Sequence, residues 1–208
     1  TRMKYIFVAG APGSKWSSVV KNIYYSSNID RSDYRDEWTY HHDASGKLEL
    51  MHLGAYFDPG MECNLPENLN ELSREQLEDI FDEPFSKDTT GIRIIKSHIF
   101  SNHIDFLRAT FPEVPIVLVY RPDDACLGWW VKCGHFDITY PLYKDYYKDL
   151  RTMAGIIKQQ NIGIVNATLS YPTKVPYDNR ELCKLLNIEA PAGYGQVYEY
   201  ADIQVQVI

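Results

Sequence analysis

The N-terminal segment joins an apolar run to a small-residue loop and a lysine, and it restricts the fold more than any other part of the sequence. Residues 5–19 read Tyr-Ile-Phe-Val-Ala-Gly-Ala-Pro-Gly-Ser-Lys-Trp-Ser-Ser-Val. The pattern predicts a buried strand over residues 3–10, a loop with Gly10 and Gly13, and then a helix. Such a loop directs unpaired backbone N–H groups and the positive end of the helix dipole at one point. We therefore expect it to bind a phosphate or a sulfate.

The loop matches only part of the pattern found in nucleotide-hydrolysing proteins. That pattern has two glycines separated by four residues, followed by a lysine and by a serine or threonine that holds magnesium. Here Ala9 stands at the position of the first glycine, Ser14 precedes Lys15, and Trp16 follows it. The segment is similar to a nucleotide kinase loop with one glycine deleted. An ordinary strand-to-helix turn without a ligand is the alternative interpretation.

Chain length and net charge limit the classes of function. A chain of 208 residues is long enough for one α/β domain with a substantial core, and we expect a single domain over residues 1–208. A net charge of −7 disfavours a general nucleic-acid-binding protein, because such proteins neutralise phosphates with a basic surface. We expect no nucleic-acid partner, and an anionic ligand must be bound by a local group of basic residues.

Cysteine spacing and hydropathy indicate the cellular compartment of the protein. The four cysteines, at 63, 126, 133 and 183, form no Cys-x-x-Cys pair, which favours buried free thiols in a reducing compartment. A zinc site built from Cys126, Cys133 and His135 is disfavoured by the six-residue gap, and we expect no metal. No segment approaches the ~18 apolar residues of a membrane helix, and the N-terminus lacks a secretory pattern. We expect a soluble, cytoplasmic protein with no membrane partner.

The apolar runs along the chain alternate with amphipathic segments. Residues 3–10, 92–97, 114–121 and 162–169 are dominated by Ile, Val, Leu and aromatic residues without a clean polar alternation, as in strands that are buried on both faces of a parallel sheet. Helices are predicted over residues 15–25, 73–82, 101–111, 123–134, 142–160 and 178–187. This alternation predicts a three-layer α/β fold, with a central, mostly parallel sheet and helices on both of its faces.

Two segments interrupt the alternation. Residues 38–70 are predicted to form an insertion near the mouth of the sheet, and residues 38–42 and 47–52 within it have the pattern of a polar hairpin. The tail after Pro191 is rich in tyrosine and valine. It is predicted to form an edge strand or a contact between copies of the chain.

Basic side chains follow two of the predicted strands. Lys96-Ser97-His98 ends the strand over residues 92–97, and Arg121 ends the strand over residues 114–121. In an open parallel sheet, ligands bind at the carboxyl ends of the strands. The sequence therefore predicts that these basic residues share one crevice with the N-terminal loop.

These motifs resemble those of the sulfotransferases that use 3′-phosphoadenosine 5′-phosphosulfate. In the cytosolic members, one strand ends in Lys-Thr-His, a helix follows, and the next strand ends in Arg-Asn-Pro-x-Asp. Lys96-Ser97-His98 is similar to the first motif, and Arg121-Pro122-x-Asp124 is similar to the second with one residue deleted. The resemblance extends over most of residues 3–190, and it implies the P-loop-type sulfotransferase fold.

The resemblance also implies a nucleotide site. In the family, a Pro-Lys-Ser-Gly-Thr-Thr loop binds the 5′-phosphosulfate, and the corresponding residues here are Pro12, Gly13, Ser14, Lys15, Trp16, Ser17 and Ser18. Gly13 stands where the family has a lysine, so Lys15 is expected to supply that charge. Trp16 corresponds to the tryptophan that packs on adenine, and Arg121 to the arginine that binds the 3′-phosphate. The partner serine of that arginine is replaced by Gly128.

The chemistry implied by the resemblance is transfer of a sulfuryl group to a hydroxyl of a small molecule or a glycan. Such a transfer needs an in-line acceptor, a base, and cations that stabilise the leaving group. His98 is the expected base, because an ordinary imidazole pKa near 6.5 suits proton acceptance at neutral pH. Lys15 and Lys96 are the expected cations.

Several other interpretations remain open from the sequence. The chain is alternatively a nucleoside or nucleotide kinase that uses ATP and magnesium, or an inactive binding or assembly protein that retains the fold. Arg121 is alternatively paired with Asp123 or Asp124 at the surface. Trp129 and Trp130 are expected in the core rather than against a ligand.

Overall fold

A four-stranded sheet forms the centre of the described chain, which in this computed structural model comprises residues 3–35, 41–42, 49–50, 53–132, 143–192 and 202–208. The strands β1 (Tyr5–Gly10), β6 (Arg93–Lys96), β7 (Ile116–Tyr120) and β8 (Gln204–Val207) have the order β6-β1-β7-β8. β1 is parallel to both of its neighbours, and β8 is antiparallel to β7. The predicted α/β class with a mostly parallel sheet is therefore confirmed.

Helices cover both faces of this sheet, because the side chains of β1 alternate between two cores. Ile6 and Val8 belong to one core, with residues of the helices α1 (Trp16–Tyr24), α4 (Asp123–Lys132) and α7 (Asn179–Leu185). Tyr5, Phe7 and Ala9 belong to the other core, with residues of α2 (Arg74–Asp82) and α3 (Ile104–Thr110). The arrangement is compatible with a three-layer fold.

The remaining elements are short, apart from one long helix. They are β2 (His41–His42), β3 (Glu49–Leu50), β4 (Phe57–Asp58), β5 (Cys63–Asn64), two 3-10 helices (Leu69–Glu71 and His98–Asn102), α5 (Tyr143–Tyr147) and α6 (Leu150–Ser170). β2 and β3 pair antiparallel, as the predicted hairpin requires, and the rest of residues 36–52 lies outside the described chain. Tyr56 bridges to Lys96, so the middle of the 38–70 segment lies beside the carboxyl end of β6.

One predicted strand is wrong. Residues 162–169 belong to α6, although they are rich in β-branched residues. Within this stretch, Ile164 and Ala167 are buried whereas Ile162, Val165 and Leu169 are exposed, which is the spacing of a helix packed on one side. Tertiary packing therefore outweighs the β propensity of the segment.

The predicted helix over residues 142–160 is divided into α5 and the first half of α6. Lys148 has a positive φ of 55°, a conformation that interrupts a right-handed helix. Asp149 then starts α6 by accepting a hydrogen bond from the backbone N–H of Thr152 at 2.8 Å. The positive φ of Lys148 and the N-cap at Asp149 thus separate the two helices.

The fourth strand of the sheet comes from the C-terminal tail. β8 pairs with β7, and Lys174 bridges to Val207 on β8. The predicted edge strand is confirmed, while a contact between copies of the chain stays a prediction. Among the helices that the structure describes, none combines the length and the apolar character needed to cross a membrane.

Candidate functional site

The carboxyl ends of three adjacent strands meet at the N-terminal loop, residues 10–15, whose first residue also ends β1. β1 leads into this loop, β6 leads into Ser97 and His98, and β7 leads into Arg121. The His98 ring contacts the Gly10 carbonyl with an Nδ1–O distance of 2.6 Å. Arg121 Nη1 donates to the Gly13 carbonyl at 3.3 Å. The structure therefore brings His98 and Arg121 to opposite sides of the loop.

Gly13 cannot be replaced by the lysine of the sulfotransferase motif without a change in the loop. Its φ is +80°, and a Cβ atom would lie 2.0 Å from the carbonyl oxygen of Cys126 on α4. The backbone of the loop therefore approaches α4 more closely than any side chain allows. The glycine is a requirement of packing at this position.

Lys15 connects the loop to α1, and its side chain is directed to α4. The residue has a positive φ of 60° at the N-cap position, and its ammonium lies 3.5 Å from the ring centroid of Trp129. Such a cation–π contact stabilises the charge on the aromatic face. Trp129 is half-buried and Trp130 fully buried, so the expectation of a core position holds for Trp130 only.

Ser14 places a hydroxyl at the start of α1. The side chain is fully buried, and Oγ has no hydrogen-bond partner among the residues that the structure describes. Oγ lies 2.8 Å from the point at which a Cβ on Gly10 would stand. A buried donor without a partner is costly, and a helix N-terminus attracts anions. An anion at the start of α1 would accept a hydrogen bond from the Ser14 hydroxyl and would be stabilised by the helix N-terminus.

The other residues of the predicted loop motif have structural contacts. Ser18 Oγ donates to the Lys15 carbonyl at 2.7 Å, and the backbone N–H of Ser14 donates to the Ala11 carbonyl at 3.0 Å. Pro12 is buried, whereas Ser17 is half-buried. These contacts stabilise the turn. A ligand of the loop would therefore bind at the start of α1.

Trp16 does not present a free surface to a nucleobase. The indole is 3% exposed, and it stacks on His98 with a centroid distance of 3.9 Å and an interplanar angle of 16°. Tyr56 packs edge-on against both rings, 5.6 Å from Trp16 and 5.3 Å from His98. The expected adenine-packing role of Trp16 is therefore not supported by this geometry, because one face of the indole is occupied by His98.

His98 is a neutral imidazole with a defined tautomer. Because the Gly10 carbonyl can only accept, Nδ1 carries the proton and Nε2 remains an acceptor. Burial lowers the pKa of His98 to about 3, and the neighbouring charge of Lys96 adds to the shift. The ordinary pKa expected from the sequence is therefore wrong for the protein without a ligand.

Lys96 is a buried cation at the end of β6. The residue is 1% exposed, and burial lowers the pKa of its ammonium to about 7, against the attraction of Asp33. Asp33 accepts hydrogen bonds from the Tyr24 hydroxyl at 3.1 Å and from the Ala55 backbone N–H at 2.8 Å. Burial also raises the pKa of Asp33, to about 6. Lys96 and Asp33 are thus two buried charged groups that interact with each other.

Asp58 is a residue that sequence analysis missed. It is 2% exposed, and Oδ1 accepts hydrogen bonds from Ser97 Oγ at 2.8 Å and from the Ile99 backbone N–H at 3.3 Å. Burial raises the pKa of Asp58 to about 7. The sequence signal is the Asp-Pro-Gly turn at 58–60, but the contact of Asp58 with the turn that follows β6 depends on tertiary structure.

Arg121 is paired with the tail rather than with its neighbours in sequence. Its Nε donates to Asp202 Oδ2 at 2.8 Å, and its side chain is 12% exposed. Asp123 instead accepts a hydrogen bond from Asn161 at 2.7 Å. The alternative in which Arg121 pairs with Asp123 or Asp124 is therefore wrong, although the guanidinium does take part in an ion pair.

Two cavities lie away from the loop. One, of about 820 Å³, is at the amino-terminal edge of the sheet beside Asp30, Arg31 and Thr89, and another, of about 480 Å³, lies between α3 and α6. In the described part of the chain, no group of three or more His, Cys, Asp or Glu side chains is arranged to hold a metal ion. Cys133 and His135, considered above for zinc, lie outside the described residues.

Comparisons with protein-family models, with curated proteins and with solved structures found no match for this chain.

Proposed function

We propose that this chain is a sulfotransferase-like protein with a P-loop-type fold, which binds 3′-phosphoadenosine 5′-phosphosulfate and transfers its sulfuryl group to a hydroxyl acceptor. The observation that carries the proposal is the meeting of three parallel strand ends at one loop. His98 contacts the loop at the Gly10 carbonyl, and Arg121 contacts it at the Gly13 carbonyl. The same residues carry the motif resemblance, so sequence and geometry point to one edge of the sheet.

The described residues fit an anionic donor in part. The start of α1 and the unpartnered Ser14 hydroxyl suit a phosphate or a sulfate. Lys15 provides positive charge in the loop, Lys96 provides it at the end of β6, and Arg121 provides a guanidinium for a second phosphate. For the donor to bind, the Lys15 ammonium either moves away from Trp129 or stabilises the donor from its present position. Arg121 must also release Asp202 in order to bind the second phosphate.

His98 is the residue we propose to accept the proton of the hydroxyl. The acceptor oxygen forms a bond to sulfur as the bond between sulfur and the 5′-phosphate oxygen breaks, and the hydroxyl proton passes to Nε2. The negative charge of a bound donor favours the protonated ring, which raises the pKa of His98 from its value in the free protein. Lys15, Lys96 and the N–H groups of the loop stabilise the charge that develops on the leaving phosphate.

The cellular location is part of the same proposal. Cys63, Cys126 and Cys183 are free and buried, as expected for thiols in a reducing compartment. We propose a cytoplasmic location, which these thiols support.

Thermal unfolding with three ligand conditions tests the nucleotide. We expect adenosine 3′,5′-bisphosphate to raise Tm in the presence of a metal chelator, because the proposed site uses protein cations alone. A rise with ATP and magnesium only would support the kinase alternative and contradict the proposal. No rise with either nucleotide would support the inactive binding protein.

Variants at His98 test the base. In His98→Asn, the side-chain amide nitrogen stands near the Nδ1 position and can still donate to Gly10, but the Nε2 acceptor is removed. We expect transfer to hydroxyl acceptors to fall by about 10²-fold or more, with affinity for the bisphosphate nearly unchanged. Unchanged turnover would remove His98 from its proposed role.

A further inference from the structure

We infer that Asp58 is a positioning residue for His98: its buried carboxylate fixes the turn that carries the imidazole. The geometric part of the inference concerns only contacts within this chain. Its consequence for catalysis rests on the proposed function.

The backbone around His98 has a cap that comes from a different segment. His98 is the first residue of the 3-10 helix His98–Asn102, and Ser97 at the N-cap makes no side-chain capping bond of its own. Asp58 Oδ1 instead accepts from Ser97 Oγ and from the Ile99 backbone N–H, on either side of His98 in the sequence. Since the first N–H groups of a helix lack partners within it, Asp58 supplies the missing acceptor.

The same segment also confines the ring of His98. Tyr56, two residues before Asp58, packs edge-on against His98 and forms a bridge with Lys96 on β6. Trp16 covers one face of the imidazole, and the Gly10 carbonyl accepts from Nδ1. With Nδ1 engaged, Nε2 is the ring atom left to act as an acceptor, and its direction depends on the backbone that Asp58 holds.

Asp33 provides a matched control for Asp58. Both carboxylates are 2% exposed, and both accept hydrogen bonds from a hydroxyl and from a backbone N–H. The hydrogen-bond donors to Asp33 are Tyr24 and Ala55, which do not belong to the His98 turn, whereas the charge of Asp33 acts on Lys96. Tyr24→Phe removes the hydroxyl bond to Asp33 and keeps that charge, so it tests the general effect of losing one hydrogen bond to a buried acid near the sheet.

The experiment measures the ring nitrogens of His98 by long-range ¹H–¹⁵N NMR in the full chain. In the wild type we expect a neutral ring with the proton on Nδ1. In Asp58→Ala, we expect averaging between tautomers and exchange of the ring N–H that is about tenfold faster or more. Asp58→Asn should restore the wild-type signal, because its amide oxygen can accept the same two bonds, and Tyr24→Phe should retain it.

If Asp58→Ala does not fold, Ser97→Ala removes one of the two bonds and should change the His98 signal in the same direction. A folded Asp58→Ala with the wild-type signal, or Ser97→Ala with the wild-type signal, would overturn the inference. Where transfer activity is present, Asp58→Ala should lower kcat without changing KM for the nucleotide, and Asp58→Asn should restore it. A wild type without activity counts against the proposed function, whereas the NMR signal still decides the role of Asp58.

Discussion

Two buried polar side chains at the proposed site, His98 and Ser14, differ in their hydrogen bonding. His98 is buried with a partner for its ring N–H, because Nδ1 donates to Gly10, and Trp16 covers one face of the ring. Ser14 is buried with a hydroxyl that has no partner in the described chain. Satisfied polar groups contribute to stability, whereas an unsatisfied one is explained best by a ligand or a water molecule. The roles of the two residues can therefore be distinguished by measuring the free energy of unfolding and the ligand affinity of their variants.

Ser14→Ala should separate ligand binding from folding. The hydroxyl makes no bond in the described chain, so we expect the free energy of unfolding to stay within about 1 kcal/mol of the wild type. Loss of a bond to a charged ligand should weaken bisphosphate binding by about 1.5–3 kcal/mol, measured by calorimetry. Ser101→Ala is the control, since Ser101 also has a buried hydroxyl without a described partner, but lies by α6. Equal affinities of Ser14→Ala and the wild type would contradict the site.

The pKa of His98 predicts a pH dependence of stability. Its value of about 3 lies below that of an exposed imidazole, so the unfolded chain binds a proton that the folded chain does not. The contribution of His98 is fully present above the unfolded pKa of about 6.5 and is lost as the pH falls toward 3. From pH 7.5 to 5, the wild type should lose about 2 kcal/mol more than His98→Asn. Urea unfolding of both proteins at the two pH values measures this difference, and equal losses would refute it.

At the scale of elements, the sequence predicted the strands that carry the site but wrongly assigned residues 162–169 to a strand. Residues 3–10, 92–97 and 114–121 are predominantly apolar, and the structure buries β1 and β6 throughout and β7 up to Val119. Residues 162–169 have a similar composition and are helical, and the position beside β7 is taken by β8 from the tail. Likewise Asp58 and Asp202 reach the site through tertiary contacts that no local pattern encodes.

Two glycines of α6 test the helical assignment. A Cβ on Gly163 would lie 2.0 Å from the carbonyl oxygen of Ser101, whereas a Cβ on Gly155 would meet nothing within 4 Å. Gly163→Ala should destabilise the protein by about 1–3 kcal/mol through overpacking. Gly155→Ala should stabilise it by about 0.5–1 kcal/mol, because alanine favours a helix. Denaturant titration measures both changes, and effects of the same sign and size would argue against this packing of α6.

Across the whole molecule, the proposed site joins segments from the two ends of the chain. The loop belongs to the first fifteen residues, and the ion pair of Arg121 with Asp202 comes from the lead-in to β8. A carboxylate at 2.8 Å from Arg121 Nε occupies the guanidinium that a phosphate would need. The tail thus contributes β8 to the sheet and Asp202 to an ion pair with Arg121, and in the proposed site Asp202 would compete with the phosphate for Arg121.

Asp202→Asn should strengthen bisphosphate binding, because Arg121 would no longer be paired with a carboxylate. The pair is partly exposed, with side-chain exposures of 12% and 41%, so the loss of stability should be at most about 1 kcal/mol. We expect calorimetry to show an affinity gain of several-fold. Glu189→Gln, which removes one negative charge elsewhere on the surface, is the control. A weaker affinity of Asp202→Asn would instead indicate that Asp202 orients Arg121 for the ligand.

The central claim is that the loop at the three strand ends binds a phosphoadenosine nucleotide, and backbone amide NMR tests it most directly. Titration with adenosine 3′,5′-bisphosphate without metal should produce saturable shift changes that are largest at residues 14–18 and at Arg121. Smaller changes are expected at residues 97–99, which contact the loop through His98. Changes confined to the cavity beside Asp30 and Arg31, or no saturable change at residues 14–18, would contradict the account.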